Sequence, residues 1–132
     1  ACVVIGGGLV GAETAEYLAN KGHQVTIVEM MDKIAAGEST TVLPLMMKDF
    51  ADHNVKQLVN TKVDHIENNI VYTESDQIKA DTIINALGSK KNIFDDSSIT
   101  IPHVYVGDCS GERTADIASA IRTAYHAANA ID

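Results

Sequence analysis

Three glycines and one carboxylate are the residues whose types and spacing do chemistry in this chain. Gly6, Gly8 and Gly11 fall at G-x-G-x-x-G spacing, between the apolar run Val3-Val4-Ile5 and an amphipathic stretch. Glu29 closes the next β-branched run, 18 residues after Gly11. The spacing predicts a dinucleotide grip: one glycine for a tight turn, one for close approach of a pyrophosphate, one for packing helix on strand. Backbone amides around Gly7 to Leu9, with Val10 beside them, would take the pyrophosphate. A helix N-terminus there offers unpaired N–H groups and the positive end of its dipole, so no basic side chain is needed. Glu29 would accept hydrogen bonds from the adenosine ribose hydroxyls and repel a 2′-phosphate. Met30, Met31 and Asp32 include no Arg to receive that phosphate, so the expected cofactor is NAD(H), with Lys33 the nearest cation.

Little else in the sequence is suited to chemistry. Cys2 and Cys109 form no Cys-x-x-Cys pair, and the five histidines lack metal-ligand or catalytic spacing. No metal, proton donor or nucleophile is expected in this chain. Cys109 reads as a small buried hydrophobe. Met30-Met31 and Met46-Met47 read as core filler, and Glu13 as a charge favoured by the helix dipole. A net charge of −8 without clustered Lys or Arg argues against nucleic-acid or anionic-membrane partners. With two cysteines that make no disulfide framework, a reducing, cytoplasmic setting is the default; no apolar run is long enough to cross a bilayer, and no charged leader precedes an apolar segment. Ala1 and Cys2 already belong to the first strand and no initiator Met precedes them, which implies a piece cut from a longer polypeptide.

The elements that must hold the grip follow from hydrophobic period. Val10, Thr14, Ala15 and Leu18 predict the inner stripe of a helix to Lys21, stopped by Gly22. Gln24 to Glu29 is the second strand. A second helix begins near Ser39 to Thr41, with Pro44 in its first turn, Leu43, Met47 and Phe50 inside, and Asn54 closing it in a left-handed conformation. Val55 to Val59 is an edge strand. Lys62–Glu67, Ile70–Glu74 and Gln77–Ala80 alternate apolar and polar residues around Asn68-Asn69 and Ser75-Asp76, predicting an antiparallel meander in place of a crossover helix. Asp81 to Gly88 returns as a central parallel strand, and ligand crevices lie at such carboxyl ends. Residues 89–100 are a polar connection, Ile101 to Asp108 one more strand, and Thr114 to Ala130 a final helix. The expectation is a single α/β domain over 1–132: a Rossmann-type three-layer fold whose parallel sheet carries an antiparallel β-meander crossover, with a core unit at 1–88 and a strand and helix at 101–132.

With these pieces placed, the chain resembles the NAD(H)-binding domain of FAD-dependent pyridine-nucleotide oxidoreductases. The resemblance rests on Gly6-x-Gly8-x-x-Gly11-x-Glu13, on the meander, on Ala86-Leu87-Gly88 and on Tyr105-Val106-Gly107-Asp108-Cys109. It implies Glu13, Leu87 and Gly88 near the nicotinamide, and Asp108 on the FAD ribityl chain. Gly11-Ala12-Glu13-Thr14-Ala15, Val28-Glu29-Met30-Met31 and Ala86-Leu87-Gly88-Ser89 look most like the C-terminal half of NADH:flavin oxidoreductases of the old yellow enzyme, 2-enoate and dienoyl-CoA reductase group. The resemblance implies a fragment that positions nicotinamide for hydride transfer to flavin, with FAD held by flavin-binding parts of the parent that this chain lacks. The isolated chain is expected to bind without turning over. Alternative readings are an FAD-binding Rossmann domain of a flavoprotein and a non-catalytic NAD-binding sensor. The last strand and helix either complete this sheet or pair between chains in a homodimer.

Overall fold

β1 (Cys2–Ile5) is buried along its whole length, and alternate residues serve opposite faces. Cys2 and Val4 join one core, Val3 and Ile5 another. That is the pattern of a parallel strand covered on both sides. The computed structural model describes residues 1–93, 95–110 and 117–131. In it β1 lies between β2 (Val25–Val28) and β7 (Thr82–Asn85), with β3 (Lys56–Leu58) outside β2, all parallel in the order β3-β2-β1-β7. The expectation of a central strand at Asp81 to Gly88 is thus corrected: β7 is an edge of this four-stranded sheet. Its apolar character comes from packing faces rather than from neighbours on both sides, since Ile83 and Ile84 join opposite cores.

One face is covered by α1 (Leu9–Asn20) and α2 (Leu43–Asp52). The buried side of α1 is Gly11, Ala12, Ala15 and Ala19, and Val10, expected on that stripe, is exposed. Small residues win because Gly11 draws the helix onto β1, and only short side chains fit between. Gly22, φ +84, follows the helix end as expected. In α2, Pro44 sits in the first turn and Ser39 Oγ accepts the Val42 N–H at 3.2 Å, so the missing proline donor costs nothing. Met46 and Phe50 are its buried residues, with Leu43 and Met47 only partly buried beside them, and Asn54 has φ +53.

Where α1 meets α2, Glu16 faces Asp49. Partial burial first, then the Asp49 charge and a hydrogen bond to it, raise the Glu16 pKa above 4.5. The folded chain therefore holds this proton more tightly than the unfolded one. The resulting stabilisation is present at acid pH and is lost as pH rises through the raised value. Glu16→Gln is expected to raise the neutral-pH melting temperature and flatten its pH dependence just above the ordinary carboxylate range. Thermal melts at a series of pH values check this.

The other face is covered by the meander of β4 (Val63–Glu67), β5 (Ile70–Thr73) and β6 (Gln77–Lys79), an antiparallel sheet in that order. Asn68 and Asn69 have φ +48 and +61, the two left-handed residues of a tight hairpin turn. The β4–β5 register shifts between Val63 and His65, so Asp64 is the extra residue of a bulge. The bulge lets Val63 pack on the second core while Ile66 pairs with fully buried Val71.

The chain divides into two compact units, Ala1–Gly88 and Ser89–Asp132. In the second, the strand expected over Ile101 to Asp108 does not form. No ladder partner reaches it among the described residues, and Ile101, Val104 and Val106 are exposed. Gly107–Cys109 instead makes a 3₁₀ turn, and α3 spans Ile117–Asn129. The expected helix start at Thr114 lies outside the described residues.

Candidate cofactor-binding site

The glycine turn joins the carboxyl end of β1 to α1, and three of its glycines, Gly6, Gly7 and Gly11, each answer to a different neighbour. Gly6 adopts φ +98, and a Cβ there would lie 2.6 Å from the Ala86 carbonyl oxygen. A Cβ on Gly11 would lie 1.8 Å from the Gly6 carbonyl oxygen, so only hydrogen fits between helix and turn. Gly7 is crowded by Ile34 and by the Glu29 side chain. Gly8 is different: its backbone is ordinary (φ −64, ψ −175), and a Cβ there would meet no atom of the described residues within 4 Å beyond its chain neighbours. None of these residues requires a glycine at this position. What a side chain would occupy is the open space over the N-terminus of α1. That end has no side-chain cap and no acid in its first turn, leaving its amides for an anion.

Glu29 lies just past β2 and is 9% exposed. Its Oε2 accepts the Gly7 N–H at 2.6 Å and its Oε1 the Met31 N–H at 2.7 Å. Each carboxylate oxygen keeps a lone pair, so the side chain arrives oriented and still able to accept from two vicinal hydroxyls. The Gly7 carbonyl accepts from Ala35 N at 2.6 Å. Gly7, expected to give its N–H to the pyrophosphate, is thus tied on both sides to the protein. The phosphate-facing amides are left to Gly8, Leu9 and Val10.

These groups open onto a cleft of about 620 Å³ at the carboxyl ends of β1, β2 and β7, built wholly from the first unit. Gly6, Gly8, Glu29, Leu87 and Gly88 line it, as expected of a crevice at strand ends. Asn85 Oδ1 accepts the Leu87 N–H at 3.1 Å and shapes the far lip, where Gly88 has φ +89. Glu13 does not line the cleft. α1 begins at Leu9, so Glu13 stands beyond the first turn, exposed on the helix surface. Leu9 and Val10 side chains likewise project outside it, at 41% and 69% exposure.

Sequence reasoning missed one wall. Met30 and Met31, read as core filler, are exposed and line the cleft with Ile66 and Leu87; Met46 is the core methionine. Together they give a polarisable apolar surface suited to a flat ring. The β4 bulge is the device that delivers Ile66 there, and a bulge leaves no mark in an alternating pattern. Asp64 and His65 border the same wall; Asp64 Oδ2 lies 2.8 Å from His65 Nδ1, and the imidazole stacks on Tyr72 at 4.4 Å.

Asp108, implied by resemblance as a flavin contact, belongs to the second unit. Its turn is tied to α3: Gly107 N–H donates to Thr123 Oγ1 at 2.9 Å, and that hydroxyl donates to the Ser119 carbonyl at 2.9 Å. Cys109 Sγ lies 3.8 Å from the Asn92 carbonyl oxygen. Among the described residues no cluster of His, Cys, Asp or Glu has metal-binding geometry, and no helix is long and apolar enough to cross a membrane.

Bilirubin reductase of Mediterraneibacter gnavus is 46% identical over 98% of this chain and 21% of its own length. Cinnamate reductase of Clostridium sporogenes is 30% identical over the same shares, 98% and 21%. The solved structure of 2-naphthoyl-CoA reductase in complex with 2-naphthoyl-CoA superposes with a TM-score of 0.71, at 27% identity over 98% of this chain and 21% of that one. The chain therefore spans about a fifth of the length of these relatives. Proteins of the matched family bind FAD and NAD(P)H. Residues 1–130 match the family described as pyridine nucleotide-disulphide oxidoreductase, and the chain belongs to that family.

Proposed function

We propose that this chain is the NADH-holding part of an FAD-dependent NADH:flavin oxidoreductase of the old yellow enzyme, 2-enoate and dienoyl-CoA reductase group. The observation that carries the dinucleotide reading is Gly8: a glycine with no steric or conformational need for being one, above an uncapped helix N-terminus. Such a cradle fits a pyrophosphate at close range. Glu29 then meets the adenosine ribose, Met30, Met31 and Ile66 flank the adenine, and Leu87-Gly88 lies toward the nicotinamide. The family resemblance assigns Glu13 to the nicotinamide end, whereas its place on the exposed surface of α1 lies outside the cleft. The reduced nicotinamide supplies the hydride. This chain's own residues bind and orient it; none of them acts as acid, base or nucleophile, so the isolated chain binds without turning over. FAD is held mainly by parts of the parent beyond this chain, to which Asp108 adds one acceptor.

One feature supports the reductase group. The relatives matching across 98% of the chain are a bilirubin, a cinnamate and a 2-naphthoyl-CoA reductase. The test is calorimetric titration of the 132-residue chain with NADH, NADPH and FAD, repeated on Glu29→Arg. NADH is expected to bind best, and the variant to shift preference toward NADPH. Because Arg also abandons the Gly7 and Met31 amides, its NADPH affinity should stay below the parent's NADH affinity. Tight FAD binding, NADPH preference in the parent, or unchanged selectivity in the variant would each contradict the proposal.

A further inference from the structure

The second unit contains a side-chain cluster that the dinucleotide reading does not use. His103 Nε2 lies 2.9 Å from Asp96 Oδ2, and His103 Nδ1 lies 3.2 Å from the Ile101 carbonyl oxygen. The Tyr105 hydroxyl donates to the same Asp96 oxygen, and its ring meets the imidazole edge-on with centroids 5.8 Å apart. A carbonyl and an ionised carboxylate only accept. Both ring nitrogens must therefore donate, which only the imidazolium does. A neutral ring has one N–H and turns a lone pair toward one of the two oxygens.

We propose that Asp96, His103 and Tyr105 form a proton-gated clamp that positions the segment carrying Gly107 and Asp108, closed by the imidazolium and opened by the neutral ring. Asp96 sits in a turn closed by Ile99 N–H on its carbonyl at 2.8 Å, with Asp95 accepting the Ser97 N–H at 3.0 Å. The clamp therefore ties this turn to residues 101–105. From there the chain runs directly to Gly107, whose N–H is already fixed on Thr123 of α3. His103 and Asp96 are positioning residues for Asp108. That Asp108 meets flavin rests on the function proposed above; the clamp itself does not.

Among the described residues, the titratable groups facing His103 are Asp96 from the turn and Tyr105 from its own segment, with Cys109 acting on Tyr105. The Ile101 carbonyl first, and Asp96 second, raise the His103 pKa above 6.5. Tyr105 first, and His103 second, hold the Asp96 carboxyl below 3.8. The imidazole contribution is thus fully present below the ordinary histidine value and lost as pH rises through the raised one. The carboxylate contribution is present above its ordinary value and lost as pH falls through the depressed one. Between these limits the clamp is closed.

The test is an NMR titration of the 132-residue chain without cofactor, following the histidine ring protons and the exchange of the Ile99, Gly107 and Asp108 amides from about pH 5 to 9. His103 is expected to titrate above the free-imidazole value of about 6.5. Amide opening, corrected for base catalysis of exchange, should rise across that window by up to about tenfold per pH unit, as linkage of one proton requires. Asp96→Asn should lower the His103 titration and weaken the pH dependence of opening, leaving the share that the Ile101 carbonyl contributes. Tyr105→Phe should leave His103 titrating high. A His103 midpoint at the free-imidazole value, or opening of Gly107 and Asp108 that is flat with pH, would overturn the clamp. Because no nucleotide is added, these outcomes are independent of whether NADH binds.

Discussion

Gly8→Ser is expected to leave the fold intact and to weaken NADH binding by one to two orders of magnitude. Serine is a better helix N-cap than glycine, and the backbone at this position is an ordinary extended one. Its Cβ meets no atom of the described residues within 4 Å, so stability should be unchanged or slightly raised. The ligand sees the opposite. The new side chain fills the space over the first turn of α1, and its hydroxyl takes an amide that the pyrophosphate would otherwise use. Losing charge-assisted hydrogen bonds of about 1.5–3 kcal/mol corresponds to roughly ten- to hundredfold in Kd. Thermal melts and calorimetry on the same preparation separate the two effects. A variant that binds NADH as tightly as the parent would mean that no phosphate lies over Gly8.

Gly11→Ala, three residues along the same motif, should fail the other way. In an exposed helix interior this change gains about 1 kcal/mol. Here the added Cβ falls 1.8 Å from the Gly6 carbonyl oxygen and 3.3 Å from the Ala86 Cβ, both held by the sheet. The helix must lift off β1, which disturbs Ala12 and Ala15 at 0% exposure. Overpacking of this kind costs about 1–3 kcal/mol or more, and the clash outweighs the propensity gain. The melting temperature should fall by on the order of 10 °C, with binding lost as a consequence because the turn moves with the helix. An unmoved melting temperature would show that α1 does not sit this close to the strand. The pair separates a glycine kept for a ligand from one kept for packing, although the spacing presents them alike.

Much of the site was legible because its parts leave local signals. Three glycines, an acid after a β-branched run and an Asn-Asn turn each follow from backbone chemistry within a few residues. The assignments that missed depended on partners distant in sequence. Periodicity puts Val10 inside because it cannot register how close Gly11 brings the helix; the buried stripe is Gly11 and the alanines. Met30 and Met31 look like core residues until the meander folds across and leaves them lining a cleft. Residues 101–106 have strand composition but no ladder partner among the described residues, and composition does not supply one. The position of Glu29 at the end of its strand is legible; its two amide partners at Gly7 and Met31 are not, since they need the turn and the strand end to be brought together.

The most direct test of the dinucleotide grip is amide chemical-shift mapping of the 132-residue chain during titration with NADH. The largest changes are expected at Gly8, Leu9 and Val10, at Glu29 to Met31, and at Leu87 and Gly88, with the Gly22 to Gln24 and His53 to Asn54 turns at the opposite end of the sheet unmoved. Shifts centred on those opposite turns, or none at Gly8 and Glu29 under saturating NADH, would contradict the account.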